Sequence, residues 1–326
     1  MKKLFALVLV VCVFVIALTS CGTPAKNDKN ITIVTTVFPE YDWVRQILGD
    51  YSDGIELILL VQNGTDLHSY QPTVSDMAVL SDCDILIRTG GMSDFWIDDA
   101  LASAPDKDRI VIELMDLMTK SEKLVEQSLH HNKEHSHEHD DHGHAEDTHD
   151  EHVWLSLKLA ARFCQVICDA LCEKVPENAE AYLKNCAKYV ETLKALDKMY
   201  TQNIDQFKEK VLLFADRFPF SYLTHDYGLH CFAAFPGCSA ESEASFETIA
   251  FLSEQVDRYS LPAVIILENS DQTIAETVIA ATDKKNAQIV IMNSLQSVTK
   301  KDMQNGVTYL EIMTQNLDAI LSSLNQ

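Results

Sequence analysis

The chain of 326 residues predicts an α/β protein of two lobes, each built on a parallel sheet, joined by one long rigid helix. Short apolar runs alternate with helix-period segments before about residue 120, and the same alternation returns after residue 210. That rhythm marks parallel sheets with crossover helices. Between the two stretches, Tyr182, Cys186, Tyr189, Leu193, Leu196 and Tyr200 keep helical spacing. A helix from Glu177 to about Phe207 would reach about 45 Å, enough to cross a domain. The length accommodates two such lobes, and 47% hydrophobic with 23% charged residues is ordinary for a globular chain.

In the first lobe, expected over residues 31–176, strands are read at Ile31–Phe38, Ile55–Val61, Asp84–Arg88 and Ile110–Glu113. Helices are read at Tyr41–Leu48, with Pro39 near its first turn and Gly49 as its stop, at Val74–Leu80 and at Asp94–Ala102. Regular pattern resumes at Val153 with a helix to about Cys172, ahead of the connecting segment 177–209. The second lobe, 210–326, reads as strands at Val211–Ala215, Cys231–Phe235, Ala263–Leu267 and Ile289–Met292. Its helices are read at Phe218–Tyr227, Phe246–Tyr259, Asp271–Thr282 and Asn305–Leu324. The sequence shows no internal repeat.

Residues 1–20 read as an export signal. Lys2 and Lys3 precede the apolar run Leu4–Leu18, which is too short for an ordinary membrane span. The run closes on Leu-Thr-Ser-Cys, a lipobox-like ending that marks Cys21 for acylation, and residues 22–30 form a polar tether. Several acyl chains give stable attachment to a bilayer, so an extracytoplasmic protein anchored by its N-terminus is expected. A net charge of −23 excludes nucleic acid as a partner, because phosphate binding needs a basic surface. Cys164, Cys168 and Cys172 recur every four residues, a stripe along one helix suited to a core and poorly placed for bridging. Cys231 and Cys238 bracket a short Pro-Gly loop and are either paired or free.

From His130 to His152 the chain carries nine of its twelve histidines among acids: His130, His131, His135, His137, His139, His142, His144, His149 and His152. No packed core needs such a segment. Imidazole is the commonest side-chain ligand for zinc-like ions, and dense His tracts read as metal-binding. The loop, about 120–151, lacks apolar periodicity and is expected to be mobile. Two histidines stand apart from it in character. His68 follows a strand, in Gly64-Thr65-Asp66-Leu67-His68-Ser69-Tyr70, and ligands of open α/β sheets bind at that strand edge. His152 closes the His-rich run against an apolar helix start, with Asp150 or Glu151 placed to orient its ring.

The ordered set of motifs resembles the zinc/manganese substrate-binding lipoproteins of bacterial ABC importers, the cluster A-I family. The set comprises the lipobox, the opening TTVFPEYDWVRQILGD, the segment GTDLHSYQPT and a His-rich loop before DEHVWLS. Phe220-Ser221-Tyr222, Tyr227-Gly228-Leu229 and the ending GVTYLEIMTQNLDAI complete it. The resemblance implies a monomer with a metal in the cleft between lobes, handed to a membrane permease driven by a cytoplasmic ATPase. His68 and His152 match the family's first two ligands. The third position carries Arg217, which cannot bind a metal; the neighbouring Asp216 is either a ligand or an ion-pair partner of Arg217. The fourth carries Asn293, a weaker donor than carboxylate. Glu268 either lies near the site or caps the next helix, and His225 and His230 read as surface residues. Two imidazoles with oxygen donors suit zinc; manganese is the alternative.

The expected function is zinc capture outside the cytoplasm for an ABC importer. A manganese carrier of the same family and a metal-stabilised adhesin-type lipoprotein are the competing readings. An enzyme is not expected, since neither a His-Glu-x-x-His helix nor a Gly-x-Ser-x-Gly elbow is present.

Overall fold

The first sheet is organised around β1 (Ile31–Thr35), paired in parallel on one side with β2 (Ile55–Leu59) and on the other with β3 (Ile85–Arg88). β4 (Ile110–Glu113) completes the order β2-β1-β3-β4. This computed structural model describes residues 30–325 apart from 63, 66, 103, 105–107, 125–148, 238 and 240–242. The signal, Cys21, nearly all of the tether and the histidines from His130 to His144 therefore lie outside the described residues. Among the described residues no helix is long and apolar enough to cross a membrane.

Helices α1 (Phe38–Leu48), α2 (Val74–Asp82) and α3 (Trp96–Ala102) connect these strands. β1 stops three residues short of the expected end. The Glu40 carboxylate accepts the amides of Thr36 (2.8 Å) and Val37 (3.2 Å), which turns the chain into α1 with Pro39 in its first turn.

Two helices follow, α4 (Leu157–Lys174) and the 26-residue α5 (Ala179–Ile204). At 1.5 Å per residue α5 is about 39 Å long. It is shorter than expected because Pro176–Asn178 forms a separate turn. Its start is tied to the first sheet's helices: the Tyr182 hydroxyl donates to the Tyr51 carbonyl (2.9 Å), and the Asn185 amide donates to the Ile47 carbonyl (3.0 Å). Near its other end, Tyr200 stacks on Tyr227, whose hydroxyl donates to Asp197 (3.0 Å). One helix thus spans both halves.

The second sheet has the order β6-β5-β7-β8, formed by β5 (Val211–Phe218), β6 (His230–Pro236), β7 (Ala263–Leu267) and β8 (Gln288–Met292). Its helices are α6 (Ser221–Tyr227), α7 (Phe246–Tyr259) and α8 (Thr273–Ala281), followed by α9 (Lys300–Gln304) and α10 (Tyr309–Ser323). The two sheets share one strand order, a structural repeat that no sequence repeat announces. β5 runs past the expected Ala215 to Phe218, with a register irregularity between Phe214 and Arg217.

Residues 31–326 form one compact unit; the main apolar cluster, including Ile33, Trp43, Phe163, Tyr200, Phe214 and Tyr309, draws on both sheets, and two smaller clusters lie beside it, one in each half. The last helix crosses the boundary read from the sequence. The Tyr309 amide donates to Asp42 (2.8 Å), Arg45 donates to the Val307 carbonyl (3.1 Å), and the Trp154 indole donates to the Ser294 carbonyl (2.9 Å). The cysteine stripe is core, as expected: Cys164 and Cys168 are buried, and the Cys186 thiol from α5 donates to the Cys164 carbonyl (3.4 Å). Cys231 is a buried free thiol, and Cys238 lies outside the described residues.

Candidate metal site

In a four-stranded parallel sheet of order 2-1-3-4 the connections leave the first strand in opposite directions. A crevice therefore opens at the carboxyl ends of strands 1 and 3. In the first sheet this crevice is bordered by the turn after β1 and the loop Thr89–Asp94 after β3. His68 reaches it from a 3-10 turn, Leu67–Ser69, that follows β2. His152 stands just before the turn Val153–Leu155, whose three residues are buried.

The two rings meet. His68 Nε2 and His152 Nε2 lie 3.2 Å apart, with ring centroids 5.2 Å apart and planes at 58°. Two nitrogens on a tetrahedral zinc ion, each about 2.0–2.1 Å from it, would be about 3.3 Å from one another. The observed spacing matches that of two ligands on a shared cation.

Each ring is held through its other nitrogen. His152 is fully buried; its Nδ1 lies 2.9 Å from Asp150 Oδ1, which also accepts the His152 amide (2.8 Å). Burial alone would push the Asp150 carboxyl up. The neighbouring His152 charge and hydrogen bonds from the His152 ring, Ser221 and the His152 amide outweigh it, and hold the group below the usual carboxylate range. An ionised Asp150 fixes the proton on Nδ1 and leaves the Nε2 lone pair for a cation. Of the two acids expected to orient this ring, Asp150 is the one in contact. Glu151 turns away and accepts the amides of Met92 (2.5 Å) and Ser93 (3.1 Å). Gly91 permits that approach, because a Cβ there would stand 2.3 Å from Glu151 Cδ. Ser93 Oγ lies 2.5 Å from His68 Nδ1.

The described residues that flank the His-rich segment meet. The Asp150 amide donates to the Leu124 carbonyl (2.8 Å). The Tyr222 hydroxyl accepts the Leu124 amide (3.2 Å) and donates to the Asp150 carbonyl (3.0 Å). Tyr222 thus holds the two described ends together, one of them at the carboxylate that holds His152. His149, beside Asp150, is exposed.

The remaining sequence candidates are engaged in other hydrogen bonds. Asp216 sits at the register irregularity of β5; its Oδ1 accepts the Arg217 amide (2.8 Å) and its Oδ2 the Leu267 amide (3.0 Å). With Arg217, Glu268, Ser294 and Ser297 it lines a small cleft at the corresponding crevice of the second sheet. Asn293 Oδ1 accepts the Leu295 amide (2.8 Å), closing a local turn. Glu268 does not cap the next helix; it accepts the Ser294 amide (3.0 Å) and hydroxyl (2.9 Å), tying the ends of β7 and β8. His225 and His230 are exposed, as expected. Among the described residues, no group of three or more His, Cys, Asp or Glu side chains converges to hold an ion. The close pair is therefore His68 and His152. Sequence reasoning missed Ser93, Tyr222 and Gly237. Gly237 packs against the site: a Cβ there would lie 3.2 Å from His152 Cε1. Only the Phe-x-Tyr motif carried a signal for any of them.

The turn from β1 into α1 holds a buried acid. Glu40 is fully buried, and its Oε1 has no hydrogen-bond partner. Burial pushes its carboxyl up to about 8, against the lowering effect of the Val37 and Thr36 amides, and the nearby Asp94 charge adds to the rise. A raised folded value means that the protonated group stabilises the fold fully below the ordinary pKa of 4.5. That contribution is lost as pH rises through about 8. In Glu40→Gln, the stability from pH 5 to 9 should fall less steeply than in the parent, by a difference on the order of 3 kcal/mol across the range. Urea unfolding of the metal-free proteins at several pH values measures it; parallel curves for the two proteins would contradict the burial argument.

Two parallel sheets of matching order, a helix spanning both and an imidazole pair at the strand ends define a two-lobed α/β protein with a candidate metal site. The family model for the zinc-uptake complex component A, periplasmic (ZnuA), matches residues 33–323, and the chain belongs to this family, one of uptake components rather than enzymes. The zinc-binding lipoprotein AdcA of Streptococcus pneumoniae is 30% identical over 100% of this chain, which spans 62% of that relative's length. The high-affinity zinc uptake system protein ZnuA of Bacillus subtilis is 30% identical over 94% of this chain and 91% of its own. The crystal structure of the Zn(II)-bound ZnuA-like domain of S. pneumoniae AdcA superposes with a TM-score of 0.71 at 28% identity, covering 91% of this chain and all of that domain. The periplasmic zinc-binding protein TroA from Treponema pallidum, 22% identical with a TM-score of 0.72, shares the fold.

Proposed function

We propose that this protein captures zinc outside the cytoplasm and delivers it to an ABC-type importer. The observation that carries this reading is the 3.2 Å approach of His68 Nε2 to His152 Nε2, with each ring braced from behind. Family membership and the zinc-binding relatives support it. Imidazole nitrogens favour zinc over manganese, which prefers oxygen donors. Asp216 and Asn293 remain the proposed oxygen donors to complete the coordination, reached by rearrangement of the second lobe's strand ends. In this reading residues 31–176 and 210–326 are the lobes, 177–209 the connecting helix, and Cys21 the lipid anchor that keeps the receptor beside its permease and ATPase.

The His-rich segment acts here as a low-affinity collector whose described flanks adjoin the site. Because Asp150 supports His152, a deletion that tests this must spare it. Removal of residues 129–148 should leave one tight zinc site per chain and lower the total zinc bound, as read by titration calorimetry. Loss of all tight binding in that variant would refute the assignment of the tight site to the histidine pair. Uptake itself is tested by growth under zinc chelation of a strain whose only zinc-receptor gene is this one, with and without His68→Ala.

A further inference from the structure

Between α4 and α5 lies a pair of thiols that the zinc site does not use. Cys168 on α4 and Cys186 on α5 are both buried, and both line one groove between the helices, beside Gln165, Asp169, Leu183 and Glu191. The Cys186 thiol donates to the Cys164 carbonyl (3.4 Å). That carbonyl is also the helical acceptor for the Cys168 amide, four residues on. The Cys168 side chain leans back toward the helix N-terminus, over the same turn. The two thiols therefore face one another, and they share a hydrogen bond. Its effect on them is unequal. Together with burial it pushes the Cys168 thiol above its usual range, whereas it holds the Cys186 thiol below that range against burial. Cys186 is thus the readier nucleophile. The neighbouring Cys172 is turned to the Ala179 carbonyl (3.7 Å); one helical turn from Cys168, it is poorly placed to bridge it.

We propose that Cys168 and Cys186 close into a reversible disulfide that ties α4 to α5, formed by exchange with a small organic disulfide outside the cytoplasm. The placement rests on the function proposed above; disulfides form and persist in oxidising compartments. The groove gives the oxidant its path. Its volume is about 330 Å³, within the range of small-ligand pockets, so a low-molecular-weight disulfide fits against the sulfurs. Cys186, its proton lost to water, attacks one sulfur of the oxidant, forms a mixed disulfide and expels a first thiolate. Cys168 then loses its proton and attacks the Cys186 sulfur, which expels the second. The two expelled thiolates take up the two protons. Two protein thiols are oxidised, and one small disulfide is reduced to two thiols. The bond encloses residues 169–185, the turn Pro176–Asn178 among them. It fastens the spanning helix beside the point where Tyr182 and Asn185 already tie it to the first sheet's helices.

The test uses the full mature chain, metal-free and fully reduced, incubated with oxidised glutathione. After free thiols are alkylated, a non-reducing peptide map should show the Cys168 and Cys186 peptides cross-linked, lighter by two hydrogens than their sum. Thermal unfolding should move up by roughly 5 °C, the scale set by a loop of this length in a chain of this size, and return on reduction. In Cys168→Ser no second thiol displaces the reagent, so a glutathione adduct should stay on Cys186. In Cys186→Ser the Cys168 thiol should remain free. Cross-links that join other cysteines, free thiols at both positions after oxidation, or an unshifted transition would overturn the proposal. Failure of the placement reading looks different: the pair then closes in the purified protein, while fractionation of cells finds the chain in the cytoplasm.

Discussion

Alanine at position 68 is expected to weaken zinc binding by more than about 100-fold, or more than about 2.7 kcal/mol. The reason is stoichiometric. Two imidazoles converge, and among the described residues no third His, Cys, Asp or Glu joins them as a group, so removing one discards half of the observed nitrogen donors. The loss exceeds the roughly 10–100-fold that follows removal of an outer hydrogen-bond partner. His68 is half-buried on a turn after β2, so the metal-free fold should lose less than about 1 kcal/mol. That separates a lost ligand from a lost fold. His152→Ala should weaken zinc equally but also destabilise the protein, since His152 is fully buried and packs its ring 5.3 Å from that of Trp154. Competition against a chromogenic chelator, with thermal unfolding of the metal-free variants alongside, measures both effects. Retention of tight binding in His68→Ala would remove the histidine pair from the mechanism.

Gly237→Ala should damage fold and site together. A Cβ at this position would stand 2.7 Å from the Phe218 carbonyl oxygen and 3.2 Å from His152 Cε1. The carbonyl belongs to the end of β5 and does not swing aside as a flexible side chain would. The added methyl must separate the end of β6 from that of β5, or press on the His152 ring. Overpacking of this kind costs typically about 1–3 kcal/mol. The ring is fixed from behind by Asp150, so the push is expected to be felt at Nε2 and to lower zinc affinity as well. Urea unfolding of the metal-free variant and zinc competition are the two readouts. Parent-like values in both would show that the strand ends give way without disturbing the ring.

Much of the fold is legible in the sequence because its elements are local. Apolar runs such as Ala263–Leu267 are strands with the expected ends, and Phe246–Tyr259 is the expected helix. Boundaries moved where a distant or non-periodic group intervened. Glu40 ends β1 by capturing two amides, and β5 continues through an irregularity to Phe218. The separation of the two lobes was legible as alternation of pattern. The continuity of their core was not, because Asp42 with Tyr309 and Trp154 with Ser294 are contacts between residues far apart in the chain. Of the two acids beside His152, the sequence offered both, and only the fold assigned Asp150 to the ring and Glu151 to the loop after β3.

The sequence by itself determined the class of protein and the two imidazoles, because residue type and local spacing carry strand–helix alternation, and a histidine after a strand or beside a buried turn is visible as text. Only the tertiary structure decided which groups brace those rings. Ser93, Tyr222 and Gly237 matter through approaches of a few ångströms between segments brought together by the sheets, and such distances leave no periodicity along a chain.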